Sequence, residues 1–169
     1  MFNNYFPTFY FNRVEDIPLS LLIENDIKGI VLDLDNTLIN YLGSFSNDLL
    51  TWLNTLKEND IIPIILSNSR SNNRVKNIAK KFNIDYICSA KKPNLKGFEN
   101  ATSLLNLQKS NIAIIGDQLF TDIIGGNRFG IKTILVKPIS FIEVPEGMIK
   151  RAAELPIKIA YRWHKKKSR

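Results

Sequence analysis

Four short apolar runs constrain the fold of this chain more than any other feature. They span residues 30–32, 61–66, 84–87 and 111–115, and a polar or charged residue follows within two positions of the end of each run. A short apolar run bounded in this way is typical of a strand buried on both faces, as strands are in parallel sheets. Ligand sites of open parallel sheets form where the carboxyl ends of the strands meet. The pattern therefore predicts a parallel sheet with a polar, functional edge.

Apolar stripes at helical spacing separate the runs. Ser46 and Ser71 are predicted to cap two helices, residues 118–129 are predicted to hold another, and residues 132–136 a final strand. The stripes expected to face the core are Leu49, Leu53 and Leu56; Val75, Ile78, Ala79 and Phe82; and Phe98, Ala101, Leu104 and Leu105. Alternating strands and helices predict an α/β fold, with a parallel, doubly wound sheet flanked by helices.

Composition predicts one domain over residues 1–169, because a chain of 169 residues that is 44% apolar can bury a sizeable core. The single cysteine, Cys88, cannot form an internal disulfide, which favours a reducing compartment. No apolar run approaches the roughly 20 residues that span a bilayer. Residues 1–11 lack the basic start of a signal peptide. We expect a cytoplasmic protein.

Two aspartates, Asp33 and Asp35, follow the first run directly, and Thr37 comes after them. Ionised carboxylates at the end of a buried strand are costly unless a cation or hydrogen-bond donors compensate them. Two at this spacing suggest a divalent cation and a reaction at phosphorus, in which one acid is the nucleophile and the other carries protons. The alternative is a strand that ends in a solvated, helix-capping loop. The motif alone is too short to decide between them.

The later runs end in residues that complete a pattern. Ser67 and Asn68 follow the second run, Lys92 comes after the third, and Asp117 and Asp122 follow the fourth. The order DxDxT, hydroxyl, lysine and GDxxxxD resembles the signature of the haloacid dehalogenase (HAD) superfamily. The resemblance implies a HAD-like Rossmannoid fold and a phosphate-transferring site.

The resemblance also implies roles for the acids. Asp33 would be the nucleophile that forms an aspartyl-phosphate, and Asp35 the general acid and base. Mg²⁺ would lie between the carboxylates of Asp33 and Asp117, the backbone carbonyl of Asp35 and waters. Asp122 would complete the metal site, either as a ligand or by orienting a metal-bound water.

The predicted substrate-binding residues are Thr37, Ser67, Asn68 and Lys92. The Ser67 hydroxyl can donate to phosphoryl oxygens, and a lysine ammonium offsets their charge. Lys92 is preferred to Lys91 because it stands in the family's Lys-Pro pair. Thr37 is expected to shape the loop rather than react, and Asn68 is either a polar contact or a turn residue.

Short connections predict that the site has no cap domain. Residues 38–60 hold barely one helix and a loop, and residues 68–91 hold one helix and one strand. HAD enzymes with small substrates often carry an inserted cap at these places. An uncapped site is open, which suits a large substrate or a headgroup presented by a surface.

Both ends of the chain suggest a surface partner. The basic tail, residues 155–169, has no acid and contributes +6 of the formal +7 charge through Lys158, Arg162, Lys165, Lys166, Lys167 and Arg169. The aromatic N-terminal segment, residues 1–13, contains Phe2, Tyr5, Phe6, Phe9, Tyr10 and Phe11. Basic and aromatic residues together favour an anionic membrane surface. For the basic tail, the alternatives are binding to nucleic acid or a solvated tail with no partner. The N-terminal aromatics could equally pack on the domain's own core.

Residues 28–38, 90–93 and 116–128 resemble the YqeG-type, subclass IIIA HAD phosphatases, a group similar to mitochondrial and chloroplast phosphatidylglycerophosphate phosphatases. The resemblance implies a Mg²⁺-dependent phosphomonoesterase acting on this anionic phospholipid, peripherally on the inner face of a membrane. One alternative is a soluble phosphatase for a nucleotide, sugar phosphate or phosphoprotein. Another is a non-catalytic module that binds nucleic acid or a ribosome. Gly125 and Gly126 would either end a helix or contact substrate.

Overall fold

The computed structural model describes residues 5–140, which form one parallel six-stranded sheet with helices on both faces. The strands are β1 (Phe9–Phe11), β2 (Gly29–Leu32), β3 (Ile62–Leu66), β4 (Asp85–Ile87), β5 (Ile112–Gly116) and β6 (Lys132–Val136). Their order across the sheet is β1-β6-β5-β2-β3-β4, so the direction of winding reverses between β2 and β5. The predicted α/β, doubly wound parallel fold is confirmed.

The helices are α1 (Leu19–Glu24), α2 (Asn47–Glu58), α3 (Asn72–Phe82), α4 (Leu95–Leu105) and α5 (Ile124–Phe129). Successive residues of each central strand face opposite cores: Leu32 packs with α2 and α3, whereas Val31 packs with α4 and α5. Burial on both faces explains why these strands are apolar throughout. The predicted stripes are buried except for Leu104, which is 61% exposed.

Helices α2 and α3 begin directly after the two serines that were predicted to cap them. Ser46 precedes α2, and its hydroxyl oxygen accepts a hydrogen bond from the Leu49 amide at 3.1 Å. Ser71 precedes α3 but makes no capping hydrogen bond with its side chain. The predicted cap at Ser46 is therefore confirmed in full, whereas at Ser71 only the position of the helix start is confirmed.

The aromatic N-terminal residues form an edge strand. Phe9 pairs with Ile134 of β6, and Phe9 and Phe11 pack against the main core. Tyr10 packs on the other side, beside Leu119. Phe9, Tyr10 and Phe11 therefore pack on the domain itself, which was one of the two alternatives for the aromatic segment. Phe2 and the basic tail lie outside the described residues.

The segment 118–129 is not a single α-helix. Leu119–Ile123 forms a π-helical turn, α5 follows, and the helix ends at Gly130, whose φ is 89°. The prediction that Gly125 and Gly126 end a helix is wrong, because both lie inside α5. A Cβ atom on Gly126 would overlap Ile114 and Thr133. Gly126 therefore allows α5 to pack closely on the sheet, and Gly125 allows it to pack closely on Phe98 of α4.

The connections on the site side of the sheet are short. The β2–β3 connection holds α2 and the β3–β4 connection holds α3, so no cap domain is inserted within residues 5–140. In the same part of the chain, no helix is long and apolar enough to cross a membrane. Within residues 5–140 the carboxyl edge of the sheet therefore carries no inserted cap, and the point where winding reverses, between β2 and β5, lies on it.

Candidate active site

Two aspartates lie side by side where the winding reverses. Asp33 follows β2, Asp117 follows β5, and the Asp33 amide donates to the Ile115 carbonyl at 2.9 Å. A tight turn, in which the amides of Leu38 and Ile39 both donate to the Leu34 carbonyl, returns the chain towards the strand ends. These strand ends place two carboxylates together at the open edge.

Thr37 links the two carboxylates. Its hydroxyl oxygen lies 3.1 Å from Asp33 Oδ2 and 3.1 Å from Asp117 Oδ1, so its proton can be donated to either. Thr37 is buried. The sequence predicted that Thr37 shapes the loop, and the structure shows that it also contacts both acids.

Lys92 lies at the centre of the site. Its Nζ is 2.6 Å from Asp33 Oδ1 and 2.8 Å from Asp122 Oδ1, and its side chain is 1% exposed. Burial opposes the charged form of Lys92, but Asp122 and Asp33 outweigh it and raise the pKa of the ammonium. Lys91, the alternative, is exposed. The structure therefore brings Lys92, and not Lys91, to the acids.

Asn68 fixes the backbone of Lys92. Its Nδ2 donates to the Lys92 carbonyl at 3.1 Å, and its Oδ1 accepts from the Lys92 amide at 2.7 Å. Ser67 is buried beside it, and its hydroxyl oxygen accepts from the Ser69 amide at 3.0 Å. Both residues thus shape the loop after β3, and their contact with substrate stays a prediction.

Asp122 approaches the sheet because residue 116 has no side chain. A Cβ atom on Gly116 would overlap the Asp122 carboxylate. The Gln118 amide donates to Asp122 Oδ2 at 3.2 Å, within the π-helical turn. The spacing of the GDxxxxD motif therefore folds its second acid back onto the strand that delivers the first.

Three buried carboxylates could hold a metal ion. Asp33, Asp117 and Asp122 each offer an oxygen, and these oxygens lie within 4.8 Å of one another. When all three are ionised, Lys92 leaves an excess of two negative charges, which suits a divalent cation. Carboxylate oxygens are ligands that Mg²⁺ prefers. Mg²⁺ held there would neutralise charge on phosphoryl oxygens.

Asp35 does not join the other acids. Its Oδ1 lies 2.6 Å from a guanidinium nitrogen of Arg74 in α3, and both side chains are partly exposed. Its assigned proton transfer and backbone metal contact stay predictions. The sequence patterns did not single out Arg74; the only available signal was that α3 starts just after the polar end of β3.

Comparison with known proteins identifies the family of this chain. A family model described as mitochondrial PGP phosphatase matches residues 3–140. The chain is 37% identical over 137 residues to "Probable phosphatase YqeG" of Bacillus subtilis, covering 80% of this chain and 79% of that protein.

Solved structures show the same fold. An uncharacterized protein from Listeria monocytogenes serotype 4b superposes with a TM-score of 0.55 at 21% identity, over 70% of this chain and 85% of that one. For the 3-deoxy-D-manno-octulosonate 8-phosphate phosphatase of Yersinia pestis the TM-score is 0.51 at 16% identity, over 86% and 89%.

The parallel sheet and its acidic, lysine-containing edge define a phosphatase of the HAD superfamily. Within that superfamily, the chain belongs to the mitochondrial PGP phosphatase family.

Magnesium is expected to stabilise the protein, and more so at about pH 7.5 than at about pH 5. Burial raises the pKa of Asp33, and Lys92 lowers it. The effect of burial is the larger, so the pKa rises from 3.8 to about 6. The metal-free protein therefore loses stability as pH rises through about 6, where Asp33 ionises. Mg²⁺ binds the ionised form, so at the higher pH it should raise Tm by about 5 °C or more. Differential scanning calorimetry with Mg²⁺ or with chelator measures this, and an equal shift at both pH values would contradict it.

Proposed function

We propose that the protein removes the terminal phosphate of phosphatidylglycerophosphate at the surface of an anionic membrane. The observation that carries the proposal is that, within residues 5–140, no cap is inserted over the edge at which Asp33, Lys92 and Asp122 meet. An open edge admits a phosphate monoester that projects from a lipid surface. The family match supports this substrate, and the basic residues 155–169 suit an anionic surface.

In the proposed reaction, residues of this chain carry out the nucleophilic step and the two proton transfers. Asp33 attacks phosphorus, forming an aspartyl-phosphate as the ester P–O bond breaks. Asp35, which pairs with Arg74 in the structure, would first leave Arg74 and take up a proton from solvent, and would then give that proton to the departing alkoxide. It then takes a proton from the water that hydrolyses the acyl phosphate. Lys92 offsets the negative charge of the phosphoryl oxygens throughout.

Substrate preference tests the proposal. The full chain with Mg²⁺ should release phosphate from mixed vesicles of phosphatidylglycerophosphate and phosphatidylcholine. Its kcat/KM there should exceed that for soluble nucleotides, sugar phosphates and phosphopeptides by about 100-fold or more, because surface binding concentrates the enzyme on its substrate.

Two results would contradict the lipid assignment. A soluble ester preferred over the vesicles would favour the soluble-phosphatase alternative. Absence of any phosphate release, together with tight RNA or DNA binding at physiological salt, would favour the binding module instead.

A further inference from the structure

The turn at residues 40–44 projects two apolar side chains into solvent. Tyr41 is 60% exposed and Leu42 is 86% exposed. Hydrogen bonds hold this turn in shape: Asn40 Oδ1 accepts from the amides of Leu42 at 3.0 Å and Ser44 at 2.9 Å. The Asn40 amide also donates to the Ser44 carbonyl, and the Gly43 amide to the Asn40 carbonyl, both at 2.9 Å. The fold thus keeps these side chains exposed in a defined conformation instead of burying them.

The turn stands at the active-site edge of the sheet. Thr37, which contacts Asp33 and Asp117, lies three residues before its first residue. Ile139 joins the same surface, because its amide donates to the Asn36 carbonyl at 2.9 Å and its side chain is 48% exposed. We call Tyr41, Leu42 and Ile139 the apolar rim. Among the described residues, the other large exposed apolar side chains include Ile23, Ile62 and Leu104.

Positive charge accompanies the apolar rim. A cavity of about 280 Å³ beneath the turn is lined by Thr37, Asn40 and Ile139 and by the cationic residues Arg13 and Lys137. Glu15 lines the same cavity and pairs with Arg13, so the charge of Arg13 is compensated there, whereas Lys137 is exposed. The part of the chain that the structure describes ends at Ser140, one residue after Ile139, and the basic residues 155–169 come later in the sequence. Apolar contact and cations on one edge match the interface of an anionic bilayer.

We propose that the apolar rim inserts into the interfacial layer of an anionic bilayer and so holds the active-site edge against the lipid headgroups. The inference rests on the proposed function for the identity of the substrate, but the membrane contact does not depend on the catalytic reaction. Stable attachment of a peripheral protein takes two signals, and the apolar rim and the basic tail supply one each. A partner protein on the same residues is the competing occupant.

The test is a double variant, Tyr41→Ser with Leu42→Ser, in the full chain. Its partition onto sedimented vesicles of phosphatidylglycerol and phosphatidylcholine should fall about 10-fold, because the inserted apolar area is lost. The matched control is Ile23→Ser with Leu104→Ser, which removes side chains of 58% and 61% exposure near the carboxyl ends of α1 and α4, at the opposite edge. The control should bind within about twofold of the parent. Both variants should hydrolyse p-nitrophenyl phosphate at about the parent's rate.

A second measurement does not depend on loss of binding. Leu42→Trp should gain fluorescence quenching by brominated phosphatidylglycerol above that of the parent, and Leu104→Trp should not. The proposal is overturned if Leu42→Trp shows no added quenching, if the parent does not bind these vesicles, or if the double variant binds as the parent does. If the double variant binds vesicles as the parent does but elutes from gel filtration as a smaller assembly than the parent, the apolar rim is a protein contact instead. The parent could also fail to hydrolyse phosphatidylglycerophosphate while the double variant loses vesicle binding. That result would refute the proposed substrate and would support the apolar rim as the membrane contact.

Discussion

Replacing Asp33 with asparagine is expected to lower phosphate release at least about 1,000-fold, because the change removes the assigned nucleophile and one carboxylate of the metal site. The asparagine side chain has the same shape, and its carbonyl oxygen can still accept from Lys92. Burial raises the pKa of Asp33, so loss of its charge should not destabilise the metal-free fold at neutral pH. Initial rates with p-nitrophenyl phosphate and with lipid vesicles measure the effect.

The control for this change is Asp85→Asn, which alters an exposed carboxylate on β4. It should leave both rates within about twofold of the parent, as surface substitutions usually do. If Asp33→Asn keeps more than a few per cent of the parent's rate while its Tm is unchanged, Asp33 is not the nucleophile.

Replacing Lys92 with methionine should cost about 3–5 kcal/mol of unfolding free energy in metal-free buffer at neutral pH. Methionine has a similar length but no charge, so the carboxylates of Asp33 and Asp122 lose the buried ammonium that lies within 2.8 Å of both. Added Mg²⁺ should restore part of the loss, because it supplies positive charge to the same acids. Urea titrations followed by circular dichroism measure the change.

Lys91→Met is the matched control, since it removes an exposed ammonium from the adjacent position. Its free energy of unfolding should change by about 0.5 kcal/mol or less. A loss below about 1 kcal/mol for Lys92→Met would mean that the ammonium does not compensate the acids, and the charge balance described for the site would be wrong.

The sequence was informative wherever structure depends on neighbours along the chain. The strands β2 to β6 were predicted from their apolar runs, because burial on both faces requires such a run. The predicted burial is wrong for β4, which lies at the edge of the sheet and is exposed or half-buried. The edge strand β1 was not predicted, because its three residues are aromatic and the strand it pairs with among residues 5–140, β6, lies more than 120 residues away. Gly125 and Gly126 were misread for a similar reason: their role is set by Phe98 and Ile114, which pack against them from elsewhere in the chain.

For the site, the motifs were enough to place the reactive side chains at strand ends, since the motif residues follow apolar runs that must be buried. Their pairing could be read only from the folded chain. Lys92 reaches Asp33 across 59 residues, and Arg74 reaches Asp35 across 39. Those pairings depend on strand order and on the side of the sheet to which each loop returns. Strand order is set by the packing of the whole core, so spacing along the chain could place the charges at one edge but could not assign their partners.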